Sequence, residues 1–130
     1  ALLPEIAQRA QEAEDLRQIP DETIASLVDI GFFKLLQPQQ WGGYQADPVT
    51  FYEAVRRLGS ACGSTGWVSG IIGVHNWHLA LFPQQAQEDV WGQDPSVRIS
   101  SSYAPMGMGE VVDGGYKVNG SWAWSAGSGH

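Results

Sequence analysis

The sequence predicts an α+β chain, with an all-α domain over residues 1–94 and the opening strands of a β domain over residues 95–130. Two observations carry this prediction. Apolar residues recur at spacings of three and four through the first two-thirds, which is the period of a helix. After Pro95, β-rich stretches alternate with Gly-containing turns, which is typical of strands and hairpins.

Composition narrows the functional classes. The 130 residues are 43% hydrophobic and 16% charged, which is typical of one globular domain. The net charge of −7 and the lack of a basic stripe argue against nucleic-acid binding. The single cysteine, Cys62, excludes an internal disulfide and favours a reducing, cytoplasmic setting. No apolar run approaches the ~18 residues of a membrane span, and no signal peptide is visible.

Two helices are predicted before residue 33. The first runs from Leu3 to Leu16, where apolar residues follow the helical period. The second begins at Asp21 and Glu22, whose negative charges suit a helix N-terminus, and it ends at Gly31. Residues 33–46 contain turn signals and are predicted to be a connector.

Three more helices follow the connector. Asp47 and Pro48 predict a capped start, with an end near Gly59 or Gly63. The next helix is predicted over residues 65–82, with Ser64 or Thr65 as its cap, and it is nearly free of charge, so we expect it to be buried. Its glycines imply that a helix or a planar ligand packs very close to it; they are Gly66, Gly70 and Gly73. A short polar helix is predicted from Gln84 to Trp91.

The last third predicts strands. One strand is expected at Val97–Tyr103, and a hairpin is expected around Asp113-Gly114-Gly115. A second turn at Asn119-Gly120 leads to a predicted strand at Ser121–Ser125, in which alternation would point Trp122 and Trp124 to one face. We expect at least half of the six tryptophans to fill the core. The chain stops after this strand without a closing element, so we expect a piece of a longer protein.

The uncharged helix carries the most informative side chains. Trp67, Ile71 and His75 are spaced by four residues and share one stripe. An aromatic plate and an imidazole on one buried stripe suit a site that holds a planar ring and moves a proton. The alternative is a histidine hydrogen-bonded in the core. His75 and His78 have no Cys, Asp or Glu at ligand spacing, so no metal site is predicted.

The stretch from Ser100 to Gly109 is dense in hydroxyl groups and backbone donors. It either contributes to a binding site or is a solvated strand end. Gly107 and Gly109 do not extend to a dinucleotide fingerprint, since Val112 replaces the third glycine. The sequence also lacks the P-loop pattern and the nucleophile elbow of the α/β-hydrolases.

Several motifs together resemble the acyl-CoA dehydrogenase superfamily, and within it the two-component flavin-dependent phenol hydroxylases. They are Phe32-Phe33-x-Leu35-Leu36-Gln37-Pro38, Trp41-Gly42-Gly43, Cys62-Gly63-Ser64-Thr65-Gly66-Trp67-Val68, His75-Asn76-Trp77-His78, Ile99–Pro105 and Asn119-Gly120-Ser121-Trp122. The resemblance spans essentially the whole chain. It implies an N-terminal helical domain followed by the start of a middle β-barrel domain, without the C-terminal helical bundle of that family.

The resemblance also implies an activity. A separate NAD(P)H-dependent flavin reductase supplies reduced FMN or FAD, which reacts with O2 to give a flavin C4a-hydroperoxide. An oxygen atom is then transferred ortho to the hydroxyl of a phenol, and the resemblance is greatest to hydroxylases of a steroid-derived phenol. The family further implies a homotetramer, a catechol product and no metal.

Site residues follow from the same resemblance. His75 is expected to deprotonate the phenol, and Ser101, preferred to Ser102, is expected near the same hydroxyl. Ser125 is expected near flavin N5, although the register could instead bring Ala126 there. The flavin contacts are expected from Trp67, Ser102, Tyr103, Ala104, Pro105, Trp122, Trp124 and Ser125.

Two other readings compete. One is an acyl-CoA dehydrogenase, or a sulfur- or nitrogen-oxidising flavin monooxygenase, on the same fold. The loop Tyr103-Ala104-Pro105 departs from the Thr-Glu-Pro element usual in the dehydrogenases, which favours the monooxygenases. The other is a non-catalytic helical interaction domain, in which the tryptophans are core residues.

Overall fold

The structure is a computed structural model that describes residues 2–130. Helices fill the first part of the chain, as the sequence predicts, and within these residues one hairpin follows. In chain order the elements are α1 (Leu3–Gln8), α2 (Ala10–Leu16), α3 (Asp21–Asp29), α4 (Pro48–Ala61), α5 (Gly63–Leu79), α6 (Gln84–Trp91), β1 (Met108–Val112) and β2 (Gly115–Asn119).

The predicted first helix is broken in two. Arg9 leaves helical geometry, with φ −89° and ψ 3°, and separates α1 from α2. Ile6 and Ala13 on either side are both buried. Apolar spacing does not detect this kink, because the residues on both sides of it keep facing the core.

Helix α4 begins as predicted and ends two residues beyond Gly59. The carboxylate of Asp47 accepts a hydrogen bond of 2.7 Å from the backbone N–H of Val49, and Pro48 occupies the first turn. Gly59 therefore lies inside the helix. Its role is in packing, because a Cβ added at Gly66 of α5 would lie 2.6 Å from the Cα of Gly59.

The glycine stripe of α5 is explained by this close helix packing. Besides Gly66, a Cβ at Gly73 would lie 2.6 Å from the ring of Phe51 on α4. The close neighbour is thus a helix and not a planar ligand. The predicted cap of α5 is wrong: the helix starts at Gly63 after Cys62 and has no side-chain cap, and it ends at Leu79 instead of residue 82.

Burial of α5 is one-sided, which corrects the expectation of a helix buried all round. Its buried face carries Thr65, Gly66, Ser69, Ile72, Gly73, His75 and Asn76. Trp67 on the opposite face is 68% exposed. The expectation about tryptophans also fails, because within residues 2–130 only Trp91 is buried. The described residues cover only one side of α5. An uncharged composition could not indicate that the other side is left exposed.

The core lies between α5, the helices α1, α3 and α4, and the 3-10 turn Phe32–Lys34. Phe32 and Phe33 pack edge to face with ring centroids 5.4 Å apart. Asn76 of α5 ties its helix to this turn by donating a 2.6 Å hydrogen bond to the carbonyl of Phe33. Burial of these apolar side chains is the main stabilising term for the helical part, and it fixes the face that α5 turns away from the core.

The hairpin is confirmed, but the two flanking strands are wrong. β1 and β2 pair antiparallel, with Val111 opposite Tyr116, and Gly114 takes the left-handed φ of +80° that the two-residue turn requires. Val97–Tyr103 and Ser121–Ser125 form no strand in residues 2–130. The positive φ of Trp124, +66°, breaks the alternation that would point both indoles to one face. Over the same residues no helix is long and apolar enough to cross a membrane.

Candidate active site

His75 is the centre of the candidate site. It lies on α5, is only 2% exposed, and both ring nitrogens have partners. Nδ1 lies 2.5 Å from the carbonyl oxygen of Ile71, one turn earlier in the same helix. Because a carbonyl can only accept, Nδ1 carries a proton, and in the neutral imidazole Nε2 is the acceptor.

Ser101 supplies the proton that Nε2 accepts. Its Oγ lies 2.6 Å from Nε2 of His75, across 26 positions of sequence. With its hydroxyl hydrogen directed at the imidazole, the Ser101 oxygen keeps its lone pairs for another donor. A ligand hydroxyl in the adjoining cavity could therefore donate to Ser101 while Ser101 donates to His75, which forms a two-step proton path.

The cavity beside this pair has a volume of about 480 Å³. Most of its lining is apolar, and its polar side chains are hydroxyl groups. It is lined by Trp67, Ile71, Ser101, Tyr103, Ala104, Trp124, Ser125 and Ala126. Trp124 is 88% exposed and Trp67 is on the exposed face of α5, so both indoles offer aromatic surface to a ligand. Six residues predicted from sequence thus line one cavity.

Tyr103 covers the imidazole of His75. Their ring centroids lie 5.7 Å apart with an interplanar angle of 21°, which is a stacked arrangement. The same tyrosine ring lies 6.0 Å from the ring of His78, and His78 in turn packs edge to face on Phe82 at 5.6 Å. The two histidines of α5 are therefore joined by an aromatic side chain from the Ser101 segment, and neither is part of a metal cluster among residues 2–130.

Ser125 is engaged by a residue that the sequence did not single out. Its Oγ lies 2.8 Å from Oγ of Ser100, and Ser100 donates to the carbonyl of Ala126 at 3.0 Å. Since Ser100 has one proton and gives it to that carbonyl, Ser125 is the donor in the serine pair. Ser125 thus keeps lone pairs but has no free proton. The run of three serines was the available signal for Ser100, but its partner could not be deduced.

Three of the predicted flavin-contact residues do not line the cavity. The Ser102 hydroxyl is used within the chain, since it donates to the carbonyl of Ala123 at 2.5 Å and accepts from the N–H of Ala104 at 3.2 Å. Trp122 packs over Gly107 and Gly120, where a Cβ would collide with its ring. Pro105 is exposed outside the cavity. The flavin contacts expected from these side chains remain predictions.

This chain is similar to one known family and to several known proteins. Residues 3–94 match the family described as "acyl-CoA dehydrogenase, N-terminal domain". The chain is 75% identical over 130 residues to the flavin-dependent monooxygenase, oxygenase subunit HsaA, of Rhodococcus jostii (strain RHA1). That alignment covers 100% of this chain and 34% of the relative.

Two further proteins that are similar to this chain are both named hydroxylases. The FADH(2)-dependent resorcinol hydroxylase, oxygenase component, of Rhizobium sp. (strain MTP-10005) is 42% identical over 118 residues, with 91% of this chain and 29% of the relative covered. The crystal structure of 3-HSA hydroxylase from Rhodococcus sp. RHA1 superimposes with a TM-score of 0.97 at 74% identity, over 99% of this chain and 33% of that one. The chain spans about a third of the relatives that it matches.

Proposed function

We propose that the whole protein is the oxygenase component of a two-component flavin-dependent monooxygenase. The premise is that this chain belongs to the acyl-CoA dehydrogenase N-terminal domain family. Its substrate is a phenol, in our proposal a steroid-derived one, hydroxylated ortho to the existing hydroxyl to give a catechol. The names of the two relatives support the monooxygenase class, and the resorcinol hydroxylase supports a phenolic ring.

The observation that carries this proposal is the 2.6 Å hydrogen bond between Nε2 of His75 and Oγ of Ser101, beside an apolar cavity. A phenolate is far more electron-rich than a phenol, so removing the phenolic proton prepares the ring for oxygen transfer. The proton passes from the phenol to Oγ of Ser101 as the Ser101 proton moves to Nε2. The resulting imidazolium donates to both the Ile71 carbonyl and Ser101, so its two N–H groups stay satisfied.

The cavity residues fit a flavin. The exposed indoles of Trp67 and Trp124 are unpaired aromatic surfaces suited to a planar ring system, and the lone pairs of Ser125 can accept a hydrogen bond from a ring N–H. When bound, reduced flavin supplies the two electrons with which dioxygen gives one atom to the substrate and one to water. Ile71, Ala104 and Ala126 keep part of the wall apolar, so their side chains offer water no hydrogen bond there.

The flavin is reduced elsewhere in this proposal. The words "oxygenase subunit" and "oxygenase component" in the names of both relatives support a partner protein, which we propose is a separate NAD(P)H-dependent flavin reductase. The name of the resorcinol hydroxylase supports FAD, and FMN is the alternative. A cytoplasmic homotetramer completes the proposal.

The same hydrogen bond weighs against acyl-CoA oxidation. A thioester has no acidic hydroxyl to give to Ser101, so the hydrogen-bonded pair would have no use in that reaction. A non-catalytic interaction domain would likewise have no use for an imidazole whose two nitrogens are held in fixed roles and whose partner serine faces a cavity.

The test uses the full-length protein, chemically reduced FMN or FAD, ¹⁸O-labelled dioxygen and a panel of phenols that includes resorcinol. We expect a catechol carrying one ¹⁸O atom, with catalase present to remove peroxide. If no phenol acquires labelled oxygen while an acyl-CoA reduces the oxidised flavin, the proposed function is wrong and the dehydrogenase reading replaces it.

A further inference from the structure

The segment that carries Ser101 is held in place by side chains. Residues 98–103 belong to no helix or paired strand, so no strand ladder fixes their position along α5. Ser100 and Ser102 bond to the carbonyls of Ala126 and Ala123 on one side. On the other side Ser101 and Tyr103 contact α5. The anchors thus alternate along the segment between its two neighbours.

Two contacts join this segment directly to His75. One is the Ser101–His75 hydrogen bond itself, and the other is the stack of Tyr103 on the imidazole at 5.7 Å. Both aromatic contacts of Tyr103, to His75 and to His78, are made by its ring, and the hydroxyl takes no part in them. The ring also lines the cavity, so it lies between the imidazole and whatever enters.

We propose that Tyr103 is a positioning residue whose ring holds Ser101 and His75 in register and shields their hydrogen bond from water. Without the ring, the contact that remains between this segment and His75 is one hydrogen bond, which water can replace. The imidazole then loses its fixed partner at Nε2, although Ile71 still holds Nδ1. The catalytic consequence rests on the proposed function, but the effect on His75 does not.

The first test reads His75 directly. In full-length protein labelled with ¹⁵N-histidine, the two ring nitrogens of His75 are distinguished by chemical shift, and they are assigned with the His75→Gln variant. We expect one protonated and one unprotonated nitrogen in the parent protein. In Tyr103→Ala the Nδ1 shift should stay at its protonated value, because the Ile71 carbonyl remains, whereas the Nε2 shift should move as water replaces Ser101. Tyr103→Phe, which keeps the ring, should retain both parent values.

Tyr116→Ala is the matched control, since it makes the same change at a tyrosine of the exposed hairpin. An unchanged Nε2 shift of His75 in Tyr103→Ala would overturn the proposal, and so would a moved Nε2 shift in Tyr103→Phe. This readout needs neither flavin nor phenol, so it separates a failure of the positioning role from a failure of the proposed function.

A second test links position to catalysis through a double-mutant cycle. If Tyr103 acts through the Ser101–His75 pair, Tyr103→Ala should lower the ratio of catechol to peroxide several-fold in the parent protein. It should lower that ratio little further in a Ser101→Ala background. Equal effects in the two backgrounds would mean that Tyr103 acts independently of the pair and would overturn the proposal.

Discussion

The helical part and the part after residue 96 are built in different ways. Helices α1, α3, α4 and α5 bury a continuous core, and their close contacts leave no space for extra atoms at Gly66 or Gly73. After residue 96 every residue of β1 and β2 is exposed, and serine side chains make several of the hydrogen bonds that hold the rest in place. The candidate site lies across the boundary, with His75 on the rigid side and Ser101 on the loosely held side.

This contrast separates two tasks within one site. The rigid helix fixes the tautomer and the direction of the imidazole through the carbonyl of Ile71. The irregular segments supply hydroxyl groups and aromatic surfaces whose positions depend on a few side-chain contacts. We therefore expect substitutions in the helical part to affect chemistry and stability strongly, and those in the hairpin to have little effect on stability.

The largest effect is expected from removing the base on the rigid side. His75→Ala in the full-length enzyme should reduce hydroxylation by ~10²–10⁴-fold, the usual contribution of a positioned acid or base, and should raise peroxide release. Flavin binding should change little, because the cavity walls remain. His78→Ala is the control, since it removes an imidazole from the same helix without removing the partner of Ser101. Assays of the hydroxylated product and of released peroxide measure this effect. An unchanged ratio of product to peroxide in His75→Ala would refute the role of His75.

A glycine-to-alanine substitution in each part of the molecule tests the expected difference in stability. Gly66→Ala places a Cβ 2.6 Å from the backbone of Gly59, and overpacking of this kind costs about 1–3 kcal/mol. The gain of helix propensity, up to about 1 kcal/mol, only partly offsets it. Gly109→Ala in β1 meets nothing within 4 Å, so a change within ~0.5 kcal/mol is expected. Urea midpoints of the full-length variants measure both, and equal midpoints would contradict the contrast.

The smallest effect is electrostatic. Hydrogen bonds from Arg56 and Arg57 to the exposed carboxylate of Glu53 lower its pKa from 4.5 to about 2. Because the pKa falls on folding, the stabilising contribution is present above pH 4.5 and is lost as the pH falls from there towards about 2. Glu53→Gln should lower Tm slightly near neutral pH, by an amount that shrinks with acid and with salt. A difference in Tm that is independent of pH would contradict this assignment.

Elements with local signals could be predicted from the sequence. Asp47 and Pro48 begin α4 as predicted, Gln84–Trp91 has the predicted bounds, and the turn before Gly115 forms the expected hairpin. These features depend on caps and turn residues within a few positions of one another. The strands at Val97–Tyr103 and Ser121–Ser125 failed because a strand requires a partner, and alternation within one segment does not supply one.

The site was less accessible to sequence reasoning than the fold. The helical stripe pointed to Trp67 and His75, but the choice of Ser101 came from family resemblance, because 26 residues separate it from His75. The bond between Ser100 and Ser125 joins two irregular segments, and no periodicity could reveal it. The exposed side of α5 was missed for the same reason, since burial depends on where other segments lie.

Several residues that line the cavity lie in irregular segments and not in paired strands, which has a consequence for protein engineering. A substitution in a paired strand must preserve register, whereas Ala104, Trp124 and Ala126 lie in no paired strand within residues 2–130. A combinatorial library at these three positions would reshape the ligand chamber while the helical scaffold and His75 stay unchanged. Selection for new aromatic substrates could therefore search pocket shapes without repeated loss of soluble protein.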